Sequence, residues 1–401
     1  MEIIEFYNIE GRVRKEIMLK INELKKYYSG KKVLITGHTG FKGSYMCVLL
    51  KYLGAKVYGY ALKPEKGSLY ELLKKDAKLQ HRRGEACEPL VTGEVFADIR
   101  DIKKLTAFVK KVKPDYVLHM AAQPLVLLGY DEPRYTYEVN VMGTVNLLEA
   151  IRKAGFYEPT SRKGEFHEPI SILNVTTDKV YENNDLSNYA FKEKDKLCGR
   201  DPYANSKSCS ELVTYAYEKS FFADKNIFRI STARAGNVIG GGDLNANRII
   251  PDCYRSIKNK KEMLIRNPKS IRPYQFVLEP LILYLNIMAL QKKDKKFEGN
   301  YNIGPDKKAC LATEVLTKKF FEAWRALDFG HNQSIRIAKL SKSLHESKFL
   351  RLDNSLIKKV FNYKEIFNMS KTMEYTAKVY YDMLKKNNIY RSVIEIIEEL
   401  D

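Results

Sequence analysis

The chain has 401 residues, of which 44% are hydrophobic and 29% charged, a composition typical of a globular protein with two cooperating domains. Its formal net charge of +20 is spread along the chain without an arginine-rich tract or a basic recognition helix, so we expect no nucleic-acid binding. No apolar run is long enough to span a bilayer, and neither the six cysteines nor the six histidines have the spacing of metal ligands. We therefore expect no membrane insertion and no metal. Residues 1–5 are acidic where a secretory signal is basic, which predicts a cytoplasmic protein.

The predicted elements begin with a polar helix over 10–28, where apolar residues recur at helical spacing. Strands then alternate with helices along most of the chain. The predicted strands cover 32–36, 55–60, 93–97, 115–120, 170–175 and 228–233. The helical patterns between them cover 46–53, 101–112, 136–153 and 204–222. Such alternation predicts an α/β fold, a doubly wound, Rossmann-like parallel sheet covered on both faces.

This pattern divides the chain into three predicted parts. Residues 1–30 are predicted to form a helical extension, and residues 31–236 to form the Rossmann-like domain. Beyond residue 236 turn-rich stretches replace the regular alternation, which predicts a smaller C-terminal α/β substrate domain over 237–401, interleaved with the first. Its tail, 335–401, is predicted to be helical and carries no motif.

Three glycines, Gly37, Gly40 and Gly43, lie where the first predicted strand passes into a helix. Glycine permits the positive φ of a tight turn and a close approach of the backbone to phosphate. A diphosphate can then rest on the N–H groups of the helix N-terminus. The spacing is G-x-x-G-x-x-G rather than the common G-x-G-x-x-G, so it is the strand–turn–helix context that predicts a dinucleotide site.

The residues for the ribose and adenine leave alternatives open. The second strand leads to Lys63 without the usual carboxylate for the ribose hydroxyls, and a lysine suits the 2′-phosphate of NADP. NAD is favoured here, and NADP stays open. Asp98, after the third strand, would either bond the adenine amino group or cap the next helix.

Tyr203 and Lys207 are four residues apart, which places a phenol and an ammonium on one face of a helix. A nearby cation favours the phenolate, so the pair is a candidate general base, although such pairs also arise by chance in a chain with 27 tyrosines. The preceding strand ends in the polar residues 176–179. These would emerge at the carboxyl edge of the sheet, where open α/β proteins bind ligands.

These motifs resemble the extended short-chain dehydrogenase/reductase superfamily, through the glycine turn, His119-Met-Ala-Ala-Gln123, Asn140-Val-Met-Gly-Thr144 and the Tyr203–Lys207 pair. From about residue 28 to 305 the chain is more closely similar to the CDP-glucose branch of the nucleotide-sugar 4,6-dehydratases. The strings that carry this closer resemblance lie at 37–44, 177–179, 201–203, 235–243 and 271–280.

The resemblance implies a lyase that converts CDP-D-glucose into CDP-4-keto-6-deoxy-D-glucose, with hydride passing from C4 to NAD and back to C6 while water is lost. It implies that Tyr203 takes the proton of the 4-hydroxyl, that Thr177 bonds the 4-oxygen and that Asp178 protonates the departing C6 hydroxyl. Lys207 would hold the nicotinamide ribose and lower the pKa of Tyr203. Asn140 would order a relay water.

Lys179 has two open interpretations: a C5 base with a strongly lowered pKa, or a salt-bridge partner of Asp178. The resemblance also implies the binding residues. Those for the cofactor are Gly37, Thr39, Gly40, Phe41, Gly43, Lys63, Asp98, Ile99, Ala121, Ala122, Tyr203 and Lys207. Those for the nucleotide sugar are Gln123, Asn237, Arg248, Arg266 and Arg272. A guanidinium can bond two phosphate oxygens at once, although each arginine could equally be a solvated surface residue.

In the superfamily the helices near 136–153 and 202–222 pair across a dimer axis, which implies a homodimer or homotetramer. Two other functions stay open. One is a nucleotide-sugar 4,6-dehydratase or 4-epimerase for GDP-mannose, dTDP-glucose or a UDP-sugar. The other is a non-catalytic, dinucleotide-sensing or RNA-binding protein of the same fold. Epimerases need no acid at C6, so Asp178 favours dehydration, a step in making deoxyhexoses for surface polysaccharide.

Overall fold

The computed structural model describes residues 18–79, 89–154, 168–184, 189–222, 227–329, 334–337 and 350–401. The part of the predicted N-terminal extension before residue 18 lies outside these ranges. The strands are β1 (Lys32–Thr36), β2 (Lys56–Ala61), β3 (Gly93–Phe96), β4 (Tyr116–His119), β5 (Ile170–Thr177), β6 (Phe228–Ala235), β7 (Asn237–Ile239), β8 (Met263–Ile265), β9 (Ile271–Phe276), β10 (Asn300–Ile303), β11 (Cys310–Ala312) and β12 (Ile335–Ile337). The helices are α1 (Ile21–Tyr28), α2 (Phe41–Tyr52), α3 (Leu69–Leu79), α4 (Ile102–Val112), α5 (Val126–Asp131), α6 (Pro133–Tyr137), α7 (Gly143–Lys153), α8 (Pro202–Tyr217), α9 (Ile249–Lys258), α10 (Leu278–Lys293), α11 (Thr313–Leu327), α12 (Ser355–Phe361), α13 (Met369–Lys385) and α14 (Ile389–Glu398).

Seven parallel strands form the central sheet, in the order β10-β6-β5-β4-β1-β2-β3. The strands are apolar because both faces are covered; all eight residues of β5 are buried. Helices α4 and α7 share a core with one face of the sheet, and α1, α2, α10 and α14 share a core with the other. The predicted doubly wound α/β fold is confirmed.

The predicted helices differ from the observed ones mainly where the backbone changes its winding. The pattern at 136–153 is divided into α6, a π-helical turn at Glu138–Met142 and α7. The pattern at 204–222 likewise ends in a π-helical turn at Glu218–Phe222. Such turns often lie at functional sites, and the first one contains Asn140.

A second region lies after residue 236. Strands β7, β9 and β11 form a three-stranded sheet, and β8 pairs with β12. Helices α9, α11 and α13 pack a separate apolar core around Trp324, which is fully buried. Strand β10 and helix α10 come later in the chain, but β10 pairs with the central sheet and α10 packs in its core. Segments after residue 236 therefore contribute to the sheet of the predicted first domain.

The described part of the 335–401 tail contains α12, α13 and α14, and β12 is a strand in a segment predicted to be helical. Both ends of the described chain pack on one face of the central sheet. The Leu19 N–H donates to Asn286 Oδ1 of α10 (2.7 Å), and the Ile389 N–H donates to Asp76 Oδ2 of α3 (2.7 Å). Across the described ranges, no helix is both long and apolar enough to cross a membrane.

Candidate active site

The glycine turn joins β1 to α2, and its three glycines have different structural roles. Gly37 has φ +77°, and a Cβ there would lie 2.7 Å from the Ala121 nitrogen. A Cβ on Gly43 would lie 2.3 Å from the Gly37 oxygen, so the first turn of α2 could not pack against the strand end. Gly40, the residue before α2, has no capping side chain, and a Cβ there would meet only the Gly37 oxygen at 3.4 Å. The first-turn N–H groups of α2 therefore face open space, a cradle that fits a dinucleotide diphosphate.

The rim of this turn holds the residues predicted for the ribose. The Thr39 hydroxyl donates to the Leu62 carbonyl (3.1 Å), which ties the turn to the end of β2. Lys63 follows directly and is exposed. Phe41 opens α2, and its ring lies against Gly240, since a Cβ on that glycine would lie 3.2 Å from Cζ of Phe41.

Asp98 does not cap the next helix; the cap of α4 is Asp101, whose carboxylate accepts from the Lys104 N–H. Instead, Arg100 binds both oxygens of Asp98, with Nε at 3.1 Å and Nη2 at 2.9 Å. An adenine amino group would have to share this carboxylate with Arg100. Ile99 is buried beneath Gly143, where a Cβ would lie 2.7 Å from it.

A buried cluster supports the turn from below. The His38 ring lies under Gly59, where a Cβ would come within 2.5 Å of the ring, and its Nε2 lies 3.0 Å from Glu94. Tyr70 and Lys74 also donate to Glu94. Burial opposes ionisation of Glu94, but the hydrogen bonds from these three side chains outweigh it and lower its pKa to about 2.

The 121–123 segment is locked to α8 through Asn140, which is 1% exposed. Its Oδ1 accepts from the Gln123 N–H (2.8 Å), and its Nδ2 donates to the Gln123 carbonyl (3.1 Å) and to the Ser206 hydroxyl (2.9 Å). Both amide hydrogens are thus used, so a relay water could bond only Oδ1. The side chain of Gln123 is also buried and donates to Thr136, whereas Ala121 and Ala122 are partly exposed along the same segment.

Strand β5 and helix α8 bring the predicted acid and base together. The Thr177 hydroxyl donates to Asp178 Oδ1 (3.0 Å), and Thr177 also acts on the pKa of Tyr203. The three side chains therefore form one row of neighbouring polar groups. Asp178 is 2% exposed, and its Oδ2 has no hydrogen-bond partner. Burial raises the pKa of Asp178, so this carboxyl can hold a proton.

Burial also sets the charges of the Tyr203–Lys207 pair. It raises the pKa of Tyr203 to about 12; the neighbouring Thr177 hydroxyl and the charge of Arg248 oppose this rise, and the charge of Asp178 adds to it. Burial lowers the pKa of Lys207 to about 8, and its amine donates to a carbonyl of β5 (3.1 Å). In the ligand-free chain the phenol is therefore protonated at neutral pH.

Lys179 is partly exposed at the start of the 3₁₀ turn after β5, and its N–H lies 3.4 Å from the Thr177 hydroxyl. Its charge lowers the pKa of Asp178, against the effect of burial. Since Oδ2 of Asp178 has no partner, the two residues interact through charge rather than through a hydrogen bond to that oxygen.

The candidate phosphate-binding residues approach this cluster from the second region. Arg272 is buried at the start of β9, and its charge acts on Asp178. Arg248 is half-exposed and bonds Asp243 (3.0 Å). Arg266 is exposed and donates to Asn247, the neighbour of Arg248. Asn237, partly exposed, begins β7 beside Tyr274 of β9.

Two further features were not found from the sequence. Glu211 and Arg234 form an ion pair behind the site, 2% and 1% exposed, with both Arg234 Nε and Nη2 at 2.9 Å from the carboxylate. Lys42, in the glycine turn, reaches Tyr284 of α10. A charged residue in the first turn of α2, whose other residues are uncharged, was the one signal in the sequence for the second feature.

Comparison with known proteins gives the family. A sequence-family model described as GDP-mannose 4,6 dehydratase matches residues 34–376. A CDP-glucose 4,6-dehydratase of Salmonella typhimurium is 39% identical over 337 residues, 82% of this chain and 85% of that protein. Among solved structures, an epimerase from Methanothermobacter thermautotrophicus matches 94% of this chain and 97% of its own, with TM-score 0.69 and 19% identity. A dTDP-glucose 4,6-dehydratase of Bacillus anthracis, in complex with NAD, matches 91% of this chain and 100% of its own, with TM-score 0.65 and 18% identity. The chain is thus an enzyme that belongs to the nucleotide-sugar 4,6-dehydratase family.

Proposed function

We propose that this enzyme converts CDP-D-glucose into CDP-4-keto-6-deoxy-D-glucose with NAD as cofactor. The observation that carries the proposal is the row Tyr203–Thr177–Asp178, which puts a candidate base close to a buried carboxyl of raised pKa at the carboxyl end of β5. A 4,6-dehydration needs both groups near one hexose ring, because a proton leaves at O4 and another is delivered to O6.

In this proposal each side chain acts at a stated atom. Tyr203 takes the proton of the 4-hydroxyl, and Thr177 bonds the 4-oxygen. Asp178 gives its proton to the C6 hydroxyl as water leaves; its raised pKa supports this role because it favours the protonated form of the carboxyl. Lys207 holds the nicotinamide ribose and faces Tyr203 one helical turn away. Lys179, next to Asp178, remains the candidate for the C5 base.

The coenzyme would lie along the glycine turn. Gly37, Gly40 and Gly43 leave the first-turn N–H groups of α2 open to a diphosphate. Bound there, NAD supplies the hydride acceptor and donor that a net redox-neutral dehydration requires. Lys63, exposed beside Thr39, keeps a 2′-phosphate possible, so NADP is the alternative coenzyme to compare.

The choice of CDP-glucose is supported by the Salmonella relative, which carries that name and covers most of the chain. Arg248 and Arg272 are proposed to bind the sugar diphosphate, because both act electrostatically on the acid–base row. The GDP-mannose description of the family model supports an alternative substrate of the same class.

The test offers CDP-glucose, dTDP-glucose, UDP-glucose and GDP-mannose separately, each with deuterium at C4. We expect CDP-glucose to give a 4-keto-6-deoxy product with the deuterium at C6. Tyr203→Phe should abolish this product, whereas Tyr217→Phe, at the far end of the same helix, should not. A sugar epimerised at C4 without a ketone, or label lost to solvent, would contradict the proposed reaction.

We further propose a homodimer in which α7 and α8 pair with their copies. Met142, Leu212 and Tyr215 expose 49%, 54% and 57% of their surface along these helices, more apolar surface than a solvated face requires. Leu212→Glu should shift the mass measured by light scattering from dimer to monomer.

We also propose that the enzyme works in the cytoplasm, because the cysteines of the described residues are free thiols, as expected in a reducing compartment. Its 4-keto-6-deoxy product would serve the synthesis of deoxyhexoses for surface polysaccharide.

A further inference from the structure

Lys42 lies inside the glycine turn, but the roles described so far leave its side chain unused. It is the second residue of α2, where a diphosphate would rest. Its amine crosses to α10, with Nζ 3.3 Å from the Tyr284 hydroxyl and 5.7 Å from the centre of that ring. Tyr284 is fully buried and Lys42 is partly exposed, so the contact anchors the amine to the core while the side chain keeps some access to solvent.

The charged groups that face this amine come from three other elements: Asp178 after β5, Lys207 of α8 and Arg248 at the start of α9. Burial, followed by the charges of Arg248 and Lys207, lowers the pKa of Lys42 to about 7, while Asp178 opposes the shift. Lys42 therefore lies among other cations, whose repulsion favours its neutral form.

We propose that Lys42 is a diphosphate-binding cation of this site, which takes up a proton from solvent when an anion settles at the glycine turn. The inference rests on the proposed function, because the anion is the diphosphate of the coenzyme or of the nucleotide sugar. Lys42 lies at the glycine turn, the proposed site of the coenzyme diphosphate, and its charge interacts with that of Arg248, a proposed ligand of the sugar diphosphate. A bound diphosphate relieves the repulsion among the cations and stabilises the ammonium form of Lys42. The proton comes from water, and no covalent bond is broken.

The test is titration calorimetry of the full chain, freed of bound nucleotide, at pH 8 in buffers of different ionisation enthalpy. One arm uses NAD alone and the other uses CDP-glucose alone. Since the pKa of Lys42 is about 7, wild type should take up to about 0.9 proton per ligand in the arm whose diphosphate reaches Lys42. Uptake confined to one arm identifies which diphosphate Lys42 binds.

Three variants separate Lys42 from other groups, such as Lys207. Lys42→Met should lose the uptake and weaken binding about ten- to a hundred-fold, as expected for one charge-assisted hydrogen bond. Lys42→Arg, always charged, should bind nearly as tightly as wild type but without the uptake. Lys51→Met, at the opposite end of α2, should behave as wild type.

Two results would overturn the inference. If Lys42→Met binds each ligand as tightly as wild type and takes up as many protons, Lys42 is not a diphosphate-binding cation. Binding of the ligands by wild type would still agree with the proposed function. If wild type binds neither NAD nor CDP-glucose, the proposed function fails and this inference fails with it.

Discussion

The buried ion pair between Arg234 and Glu211 leads to a prediction about what holds the catalytic helix in place. Arg234 lies on β6 and Glu211 on α8, one helical turn beyond Lys207. The carboxylate also accepts hydrogen bonds from Thr176 and, at 2.7 Å, from Thr232. Since Thr176 directly precedes the Thr177–Asp178 end of β5, the pair joins the strand that carries the proposed acid to the helix that carries the proposed base.

Arg234→Met removes the cation and leaves an almost fully buried carboxylate without its countercharge. Losing one partner of a buried pair costs about 3–5 kcal/mol. The two threonine hydroxyls remain as donors to Glu211, so we expect the lower end, about 3 kcal/mol. Replacing both charges, as in Arg234→Met with Glu211→Gln, leaves no buried ion, and the double variant should be more stable than the single one.

The assay is a double-mutant cycle, with stability measured by urea unfolding followed by circular dichroism. Arg229→Met on the same strand is the matched control, because that guanidinium donates to the Phe228 carbonyl (3.0 Å) and its loss should cost less than about 1 kcal/mol. An Arg234→Met protein as stable as wild type would refute the reasoning. So would a double variant less stable than Arg234→Met, since the cost would then not come from the unpaired charge.

Two other predictions concern single carboxyl groups. Asp178→Asn should slow the loss of water about 10²- to 10⁴-fold, because an amide cannot donate the proton, while oxidation at C4 continues. The C4-oxidised sugar nucleotide should then accumulate, as mass spectrometry would detect, and an unchanged rate of dehydration would contradict the role. The pKa of Glu94 is about 2 in the fold against an ordinary 4.5, so its ionised form stabilises the protein above pH 4.5, and this contribution is lost as pH falls from 4.5 towards 2. Glu94→Gln should therefore have a lower Tm than wild type at pH 7, and the difference in Tm should shrink as pH falls from 4.5 towards 2. A Tm difference that stays constant over this pH range would show that the charge of Glu94 is not responsible.

The central sheet was predictable because its strands are buried on both faces and therefore read as short apolar runs between turns. The apolar run predicted β5 at 170–175, with 176–179 as its polar end, and the strand continues to Thr177. Thr176 interrupts the apolar run although it is buried, because its hydroxyl bonds Glu211. Strand β10 was missed for a different reason. Its four residues enter the sheet only by pairing with β6, about 70 residues earlier in the chain, and local periodicity carries no information about such pairing.

In the candidate site too, some features follow from local sequence and others depend on contacts between distant residues. The Tyr203–Lys207 spacing and the polar end of β5 indicate chemistry locally, and the fold brings Thr177 close enough to act on the pKa of Tyr203. The contact between Lys42 and Tyr284 joins residues 242 positions apart, so only the folded chain reveals it. Burial, which sets the charge of each group, is likewise a property of the packed structure rather than of the residue type.

The pKa values argue for an order of events in catalysis. Burial raises the pKa of Asp178, which favours the protonated form of the proposed acid, and it also raises the pKa of Tyr203 to about 12, which disfavours the phenolate form of the proposed base. It further lowers the pKa of Lys207 to about 8, which disfavours the ammonium form of the neighbouring lysine. One environment thus prepares the acid and suppresses the base. Since a proton can leave Tyr203 near neutral pH only when positive charge is stabilised close to it, the base must be activated by occupation of the site. Binding should then precede proton transfer, and an empty site cannot remove protons at random.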